Sequence, residues 1–147
     1  MPSLTATHPF GSEITFEDLR CDLQAQSAWE DKYRLLIKLA RKLPVLDEVT
    51  RQQAQEVKGC ENRVWLGYQL NQNGTLHFFG DSEGRIVKGL LAILLTAIEN
   101  QTPQKILSID FSEFFQATGL SGQLSDSRLN GIQALIQYIQ KIAQENQ

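Results

Sequence analysis

Val64-Trp65-Leu66-Gly67-Tyr68-Gln69-Leu70-Asn71-Gln72-Asn73-Gly74-Thr75-Leu76-His77-Phe78-Phe79 is the stretch on which the fold turns. Val64, Leu66, Tyr68 and Leu70 point to one face of a strand, and Arg63, Trp65, Gly67 and Gln69 to the other. Asn71 to Gly74 reads as a turn, because Asn73-Gly74 accepts positive φ at little cost. Leu76 to Phe79 then returns as a second strand. A lone hairpin is marginal in water, so it needs a helix over one face and a third strand, to which the pattern assigns no place.

The covering helix follows directly, over Ser82 to about Glu99, with Asp81 or Ser82 as its cap. Ile86, Val87, Leu90, Leu91, Ile93, Leu94, Leu95 and Ile98 occupy nearly its whole circumference, which marks the central core helix. Gly84 and Gly89 are expected to admit close approach of other backbone. On the other side of the hairpin stands Gly59-Cys60-Glu61-Asn62-Arg63, joining the first strand to a polar helix over Asp47 to Lys58. That helix is expected to pack weakly, through Val49, Ala54 and Val57.

Further out, Met1 to Ser12 reads as an irregular arm, since Pro9 disfavours helix at His8. Thr15 caps a short helix over Phe16 to Gln24, with Phe16, Leu19 and Leu23 on one face. Trp29 to Lys42 forms a second, with Trp29, Tyr33, Leu36, Ala40 and Leu43 in a stripe of helical period, a Glu30–Arg34 pair outside and Pro44 as terminator. Pro103 opens a short helix toward Leu107. Phe111, Phe114 and Phe115 belong to another, ended by Gly119. Ser125 caps the last, whose buried side is expected at Leu129, Ile132, Ile136, Ile139 and Ala143.

Length and composition bound the function. The chain has 147 residues, enough for one domain spanning 1–147 with its own core. A net charge of −3 gives no overall basic footprint, so nucleic-acid binding is not expected. Two cysteines exclude a disulfide framework and four-cysteine metal sites. No basic segment followed by an apolar run opens the sequence, and no apolar run reaches the length of a membrane span. A cytoplasmic protein with reduced thiols is the expectation.

Cys60 is the one good candidate nucleophile. A lone cysteine is most often a small buried hydrophobe. Here Gly59 precedes it and three polar residues follow, which places the sulfur on a turn near the surface. Lys58 and Arg63 would favour the thiolate, while Glu61 and the negative end of the preceding helix oppose it. Cys21 sits mid-helix, away from the apolar face, and is read as incidental. A cysteine hydrolase would need a histidine at the thiol, and only His8 and His77 are available; His77 can face the Trp65 side, but an ordinary half-exposed sheet histidine is the plainer reading. Cys60, His77 and Asp81 lack metal-ligand spacing, so no metal is expected. Arg63 and Arg128 are anion-binding candidates. Gly80-Asp81-Ser82-Glu83-Gly84-Arg85 has the look of a phosphate loop, but Asp81 and Glu83 would repel phosphate. A thiol with so little catalytic equipment suits a group carrier.

Gly59-Cys60-Glu61-Asn62-Arg63-Val64-Trp65-Leu66-Gly67-Tyr68 resembles the active-site segment of the SufE-type sulfur acceptors, in particular their CsdE branch. The resemblance extends through His8-Pro9-Phe10-Gly11, Trp29 to Arg34, His77 to Val87, Gly89 to Ala92, and Ser127-Arg128 with Gly131. It implies an α+β domain, a small antiparallel sheet packed against several helices, similar to IscU-type scaffolds. It implies that Cys60 receives sulfur as a persulfide from a pyridoxal-phosphate cysteine desulfurase, stimulates that enzyme, and passes the sulfur to a downstream acceptor, in iron–sulfur cluster assembly or another sulfur-using pathway. The chain would hold no cofactor of its own and be monomeric when free. Gly59, Glu61, Asn62, Arg63, Trp65, Asp81 and Arg128 would surround Cys60 and face the partner. The family's loop tucks its thiol toward an apolar cavity, for which Phe79, Trp65 and the core helix are the expected walls. Asp81 is expected to hold the closed loop by accepting amide or Arg63 hydrogen bonds. Two other readings stay open: an allosteric module with a structural Cys60, and a stand-alone thiol enzyme.

Overall fold

The computed structural model describes residues 7–147, so Met1 to Ala6 of the expected arm lie outside the described residues. Helices α1 (Phe16–Gln24), α2 (Trp29–Lys42) and α3 (Glu48–Gln53) precede strands β1 (Gln55–Glu56), β2 (Val64–Leu70) and β3 (Leu76–Ser82). Then come α4 (Arg85–Ile98), α5 (Pro103–Leu107), α6 (Phe111–Gln116) and α7 (Asp126–Glu145). The sheet is antiparallel in the order β1-β2-β3. The fold class is therefore the one expected.

The hairpin forms as its alternation dictates, with Leu66 opposite Gly80 and Tyr68 opposite Phe78, and Gly74 takes φ +87° in the turn. The third strand is Gln55–Glu56, placed inside what reads in the sequence as the C-terminal half of a helix. The helix stops at Gln53 because Ala54 turns extended and the next two residues pair with Leu66 and Trp65. Its expected anchor Val49 is exposed, while Val57 beyond it is buried. In a polar segment without strong periodicity, sheet pairing overrides local helix preference.

β3 also runs three residues longer than its pattern suggests. Asp81 and Ser82 pair with Trp65 and Val64, so neither caps α4. The N-cap is Gly84, without a side-chain bond; the Ser82 hydroxyl instead accepts the Gly84 N–H and donates to the Arg63 carbonyl. Of α4, only Arg85, Lys88 and Ala97 escape burial, as befits a helix at the centre of the core. Leu66, Leu76 and Phe78 meet it from the sheet, and each is fully buried. Truncating any of these large side chains to alanine costs about 2–5 kcal/mol. α2 covers the opposite side of α4, and Gly89 is the reason it lies so close: a Cβ there would stand 2.4 Å from the Leu36 carbonyl oxygen.

Three smaller expectations also change. Arg34 pairs with Asp31 rather than Glu30, Leu129 is 39% exposed, and Leu135 takes its place on the buried side of α7. Residues 8–12 of the arm are anchored, with His8 bonded to Phe78 and Phe10 fully buried and bridged to Ile14.

Asp81 shows what the second face of the hairpin is for. It is 5% exposed and accepts the Leu46 and Ser82 N–H groups while pairing with Lys88 Nζ at 3.0 Å. It thus ties the segment after α2 to β3 and α4, and it makes none of the expected bonds to the cysteine loop. Removing one member of a buried, hydrogen-bonded ion pair costs roughly 3–5 kcal/mol, against ~1 kcal/mol for a lost cap. Asp81→Ala is therefore expected to lower unfolding free energy by about 3 kcal/mol in urea melts. A loss near 1 kcal/mol would restore the cap reading.

Candidate functional site

The cysteine loop spans residues 58–63, and its roots are fixed. Val57 N–H donates to the Val64 carbonyl, and Glu83 N–H to that of Arg63. Between them Gly59 adopts φ +99°, a conformation that strains any residue bearing a Cβ, and a Cβ there would crowd Ala134 of α7 at 3.2 Å. The loop consequently turns inward, against α7.

Cys60 Sγ lies 3.5 Å from the Gly131 carbonyl oxygen, within donating distance of the thiol. Cys60, Glu61, Val87, Leu90, Ser127, Arg128, Gly131, Ile132 and Leu135 line a void with about 10 Å³ free. The sulfur is therefore half-buried in a small, mostly apolar slot between α4 and α7, rather than displayed on the surface. Of the expected walls only the core helix contributes; Phe79 and Trp65 lie elsewhere. Gly131 is the residue that makes room, since a Cβ there would stand 3.2 Å from Cys60 Sγ. The detectable signal was a glycine inside an amphipathic helix, which marks close approach.

The electrostatics also differ from expectation. Lys58 and Arg63 do not serve the thiol: both turn to Glu56, at 3.9 and 3.0 Å. Hydrogen bonding from Arg63 holds the Glu56 carboxyl below its usual range. Arg63 and Arg51 both lie over the Trp65 indole, with guanidinium carbons 4.9 and 4.6 Å from its centre. Trp65 is thus covered, at 6% exposed. The negative end of α3 does not reach Cys60, because β1 intervenes, whereas Ser127 and Arg128 of the first turn of α7 line the slot. What remains near the thiol is Arg128, with Nε 3.3 Å from Glu61 Oε1 and Cζ 6.0 Å from the centre of the Tyr33 ring. The Arg128–Glu61 contact is an ion pair by distance but is not aligned as a hydrogen bond, and Arg128 Nε is buried without one. Burial pushes the Cys60 thiol up from its ordinary value.

Of the residues singled out from the sequence, the structure gathers Gly59, Cys60, Glu61 and Arg128 at the slot. Asn62 and Arg63 are exposed on the loop. Trp65 and Asp81 belong to the covered second face of the sheet. Cys21 is exposed and remote in its bonding, near Glu17.

A second cluster went unread in the sequence. His8, His77 and Glu99 place three ligand-capable atoms within 4.8 Å of one another. His77 does face the Trp65 side, but buried rather than half-exposed. Phe10 N–H donates to His8 Nδ1 (3.2 Å), which leaves Nε2 to donate to the Phe78 carbonyl (2.8 Å). Glu99 accepts the Phe78 N–H at 2.8 Å and pairs with His77 Nδ1 at 2.5 Å. Burial pushes the Glu99 carboxyl up, and the bonds from His77, His8 and Phe78 outweigh it, leaving a net downward shift. The His8 lone pair a metal would need is already occupied, so hydrogen bonding accounts for the cluster.

The chain matches the family model described as "SufE: Fe-S metabolism associated domain" over residues 17–143. It is 52% identical over 134 residues to the sulfur acceptor protein CsdE of Escherichia coli (strain K12), spanning 91% of each chain. The solution structure of a hypothetical protein from Thermus thermophilus superposes with a TM-score of 0.71 over 89% of this chain and 94% of that one, at 16% identity, a likeness of fold alone. A small α+β domain with a cysteine on an inward-turned loop is thus the class of protein. The chain belongs to the SufE family.

Two consequences of the slot are measurable on a Cys21→Ser background. A thiol whose folded-state value is raised keeps its proton to higher pH, so the rate of Cys60 alkylation should rise with pH along a midpoint above that of a free cysteine. Gly131→Ala should expel the sulfur and raise the alkylation rate several-fold at neutral pH, with circular dichroism unchanged. A rate already equal to that of free cysteine in the unaltered slot would mean that the thiol is not sheltered.

Proposed function

We propose that this chain is a sulfur acceptor: Cys60 takes sulfur from a pyridoxal-phosphate cysteine desulfurase and carries it to a second protein. The observation that supports this most directly is the single sheltered thiol on a loop whose roots are fixed and whose tip is polar, in a chain sharing half its residues with a protein named as a sulfur acceptor. The chemistry is thiol exchange. The Cys60 thiolate attacks the outer sulfur of the donor's cysteine persulfide; a new S–S bond forms as the donor's breaks, and the donor cysteine leaves as thiolate. The proton given up by Cys60 balances the one the departing thiolate takes up, and no net oxidation occurs. The exchange itself needs no metal and no strong general base.

Burial raises the tucked-in thiol and the slot shelters it, so a loop that swings out would make the sulfur more reactive. Residues 61–63 are exposed, whereas β2, β3 and α4 are buried throughout most of their length, so the loop would be the part that moves. Glu61 and Arg128 would separate in that motion. The same polar loop would face the desulfurase and, later, the downstream acceptor, in the reducing cytoplasm. Desulfurase stimulation follows from removing its persulfide product. An iron–sulfur assembly protein is the recipient class that the family description points to.

The test is intact-protein mass spectrometry after incubation with a cysteine desulfurase and L-cysteine. The chain should gain one sulfur atom, lost on treatment with reductant. Cys60→Ser should abolish both the gain and the stimulation of turnover, and Cys21→Ser should preserve them. Full stimulation by Cys60→Ser would favour the allosteric module instead.

The chain is further proposed to work without a resident metal, His8, His77 and Glu99 acting as a clamp on the β3 edge. Protein purified without a tag should carry no stoichiometric zinc or iron by elemental analysis. His77→Ala should then destabilise the fold without altering metal content. One equivalent of metal, lost in His77→Ala, would overturn the clamp reading.

A further inference from the structure

Although the chain is acidic overall, one groove is basic. Arg34, Lys38 and Arg41 recur at helical spacing along the exposed side of α2, and Arg85 opens α4 beside them. Together with Gln26, Asp31, Leu35 and Ile37 they line a groove of about 490 Å³. Asp31 is the sole acid in that lining and is taken by Arg34 at 2.9 Å. Among the described residues, Lys38, Arg41 and Arg85 have no ion-pair or hydrogen-bond partner. Like charges three and four residues apart weaken a helix, so this stripe is a strain on α2 that an anionic surface would relieve.

The groove also adjoins the cysteine loop. Arg85 follows Gly84, and a Cβ on Gly84 would stand 2.2 Å from Asn62 Oδ1, so the loop's polar tip rests on the residue where the groove's α4 wall begins. The α2 wall is fixed to α4 by the close approach at Gly89. A partner whose acidic side chains enter the groove is thereby brought alongside residues 60–62.

We infer that the Arg34–Lys38–Arg41–Arg85 groove is the docking surface for an acidic patch on the cysteine desulfurase, placed beside that enzyme's persulfide-bearing cysteine. The inference rests on the proposed sulfur transfer and names the contact that would precede it. Half-buried Leu35 and Ile37 supply an apolar floor, and the cations form the rim. Rim charges chiefly set the encounter rate and its salt dependence.

The experiment compares the native chain with Lys38→Glu/Arg41→Glu/Arg85→Glu. The control is Lys105→Glu/Lys141→Glu, on exposed positions outside the groove. Affinity for the desulfurase is measured by calorimetry at low and high salt, and sulfur loading of Cys60 by mass spectrometry. The triple variant should bind roughly tenfold or more weakly at low salt, with a flattened salt dependence, while the control pair stays within about twofold. Cys60 alkylation by a small electrophile should be unchanged in the triple variant. If it misfolds, the neutral variants Lys38→Gln and Arg85→Gln should each show the same trend at smaller size. Equal affinity and equal salt slope in a chain that still loads sulfur would overturn the docking surface and leave the sulfur transfer standing. A native chain that neither binds the desulfurase nor gains sulfur would overturn both. Weakening by the control pair equal to that of the triple variant would reduce the effect to net charge and overturn the groove.

Discussion

A strand at the margin of a sheet must find partners for half of its backbone, and β3 is such a strand. Leu76 and Phe78 turn their N–H and C=O groups away from β2, and every one of those four groups is met. Leu76 N–H donates to the Gln101 carbonyl, and its carbonyl accepts from Asn100 N–H. Phe78 N–H goes to Glu99, and its carbonyl to His8. One short segment leaving α4 therefore closes most of the edge, assisted by a histidine from the start of the described chain. Asn100 makes the reversal possible by taking φ 58°, which asparagine tolerates better than most residues. The opposite margin is handled differently, by a strand only two residues long, too short to template pairing with another chain.

That closure fixes the C-terminal end of α4, and α4 fixes the rest. The helix is anchored at its far end by Lys88 on Asp81, and at its middle by the backbone contact with α2. α7 then lies over its remaining surface through Ile132 and Leu135. The sulfur slot is the leftover space where α4, α7 and the loop meet. It is not carved by dedicated residues; Val87, Leu90 and Leu135 would be buried in any case. Gly131 leaves room for the sulfur, and Gly59 makes the turn that brings it there.

The hairpin and the core helix were legible in the sequence because their periodicities are strong, and caps and prolines marked the starts of α1, α3, α5 and α7. The ranges of α1 and α2 could be read directly from a cap and a terminating proline. β1 was not legible, since two polar residues carry no alternation. The end of β3 was missed because Asp81-Ser82 resembles a cap, and only the pairing with Trp65 and Val64 shows otherwise. At the site, Cys60, Gly59, Glu61 and Arg128 were readable from a motif. The partners of Arg63, Lys58 and Asp81 were not, because ion pairing among residues remote in sequence is decided by packing. His8 is the clearest case: nothing local distinguishes an arm histidine from one that completes a sheet edge.

The sheltering of Cys60 also bears on damage. Sulfenic acid formation, glutathionylation and irreversible over-oxidation all begin with an accessible thiolate. A slot that raises the thiol and hides it reduces both the ionised fraction and the encounter frequency, so peroxide and disulfides see little of this sulfur. The cost is falling reactivity toward every electrophile alike. If the loop opens as proposed, selectivity resides in which molecule can open it, and the thiol can stay reduced through long intervals between encounters.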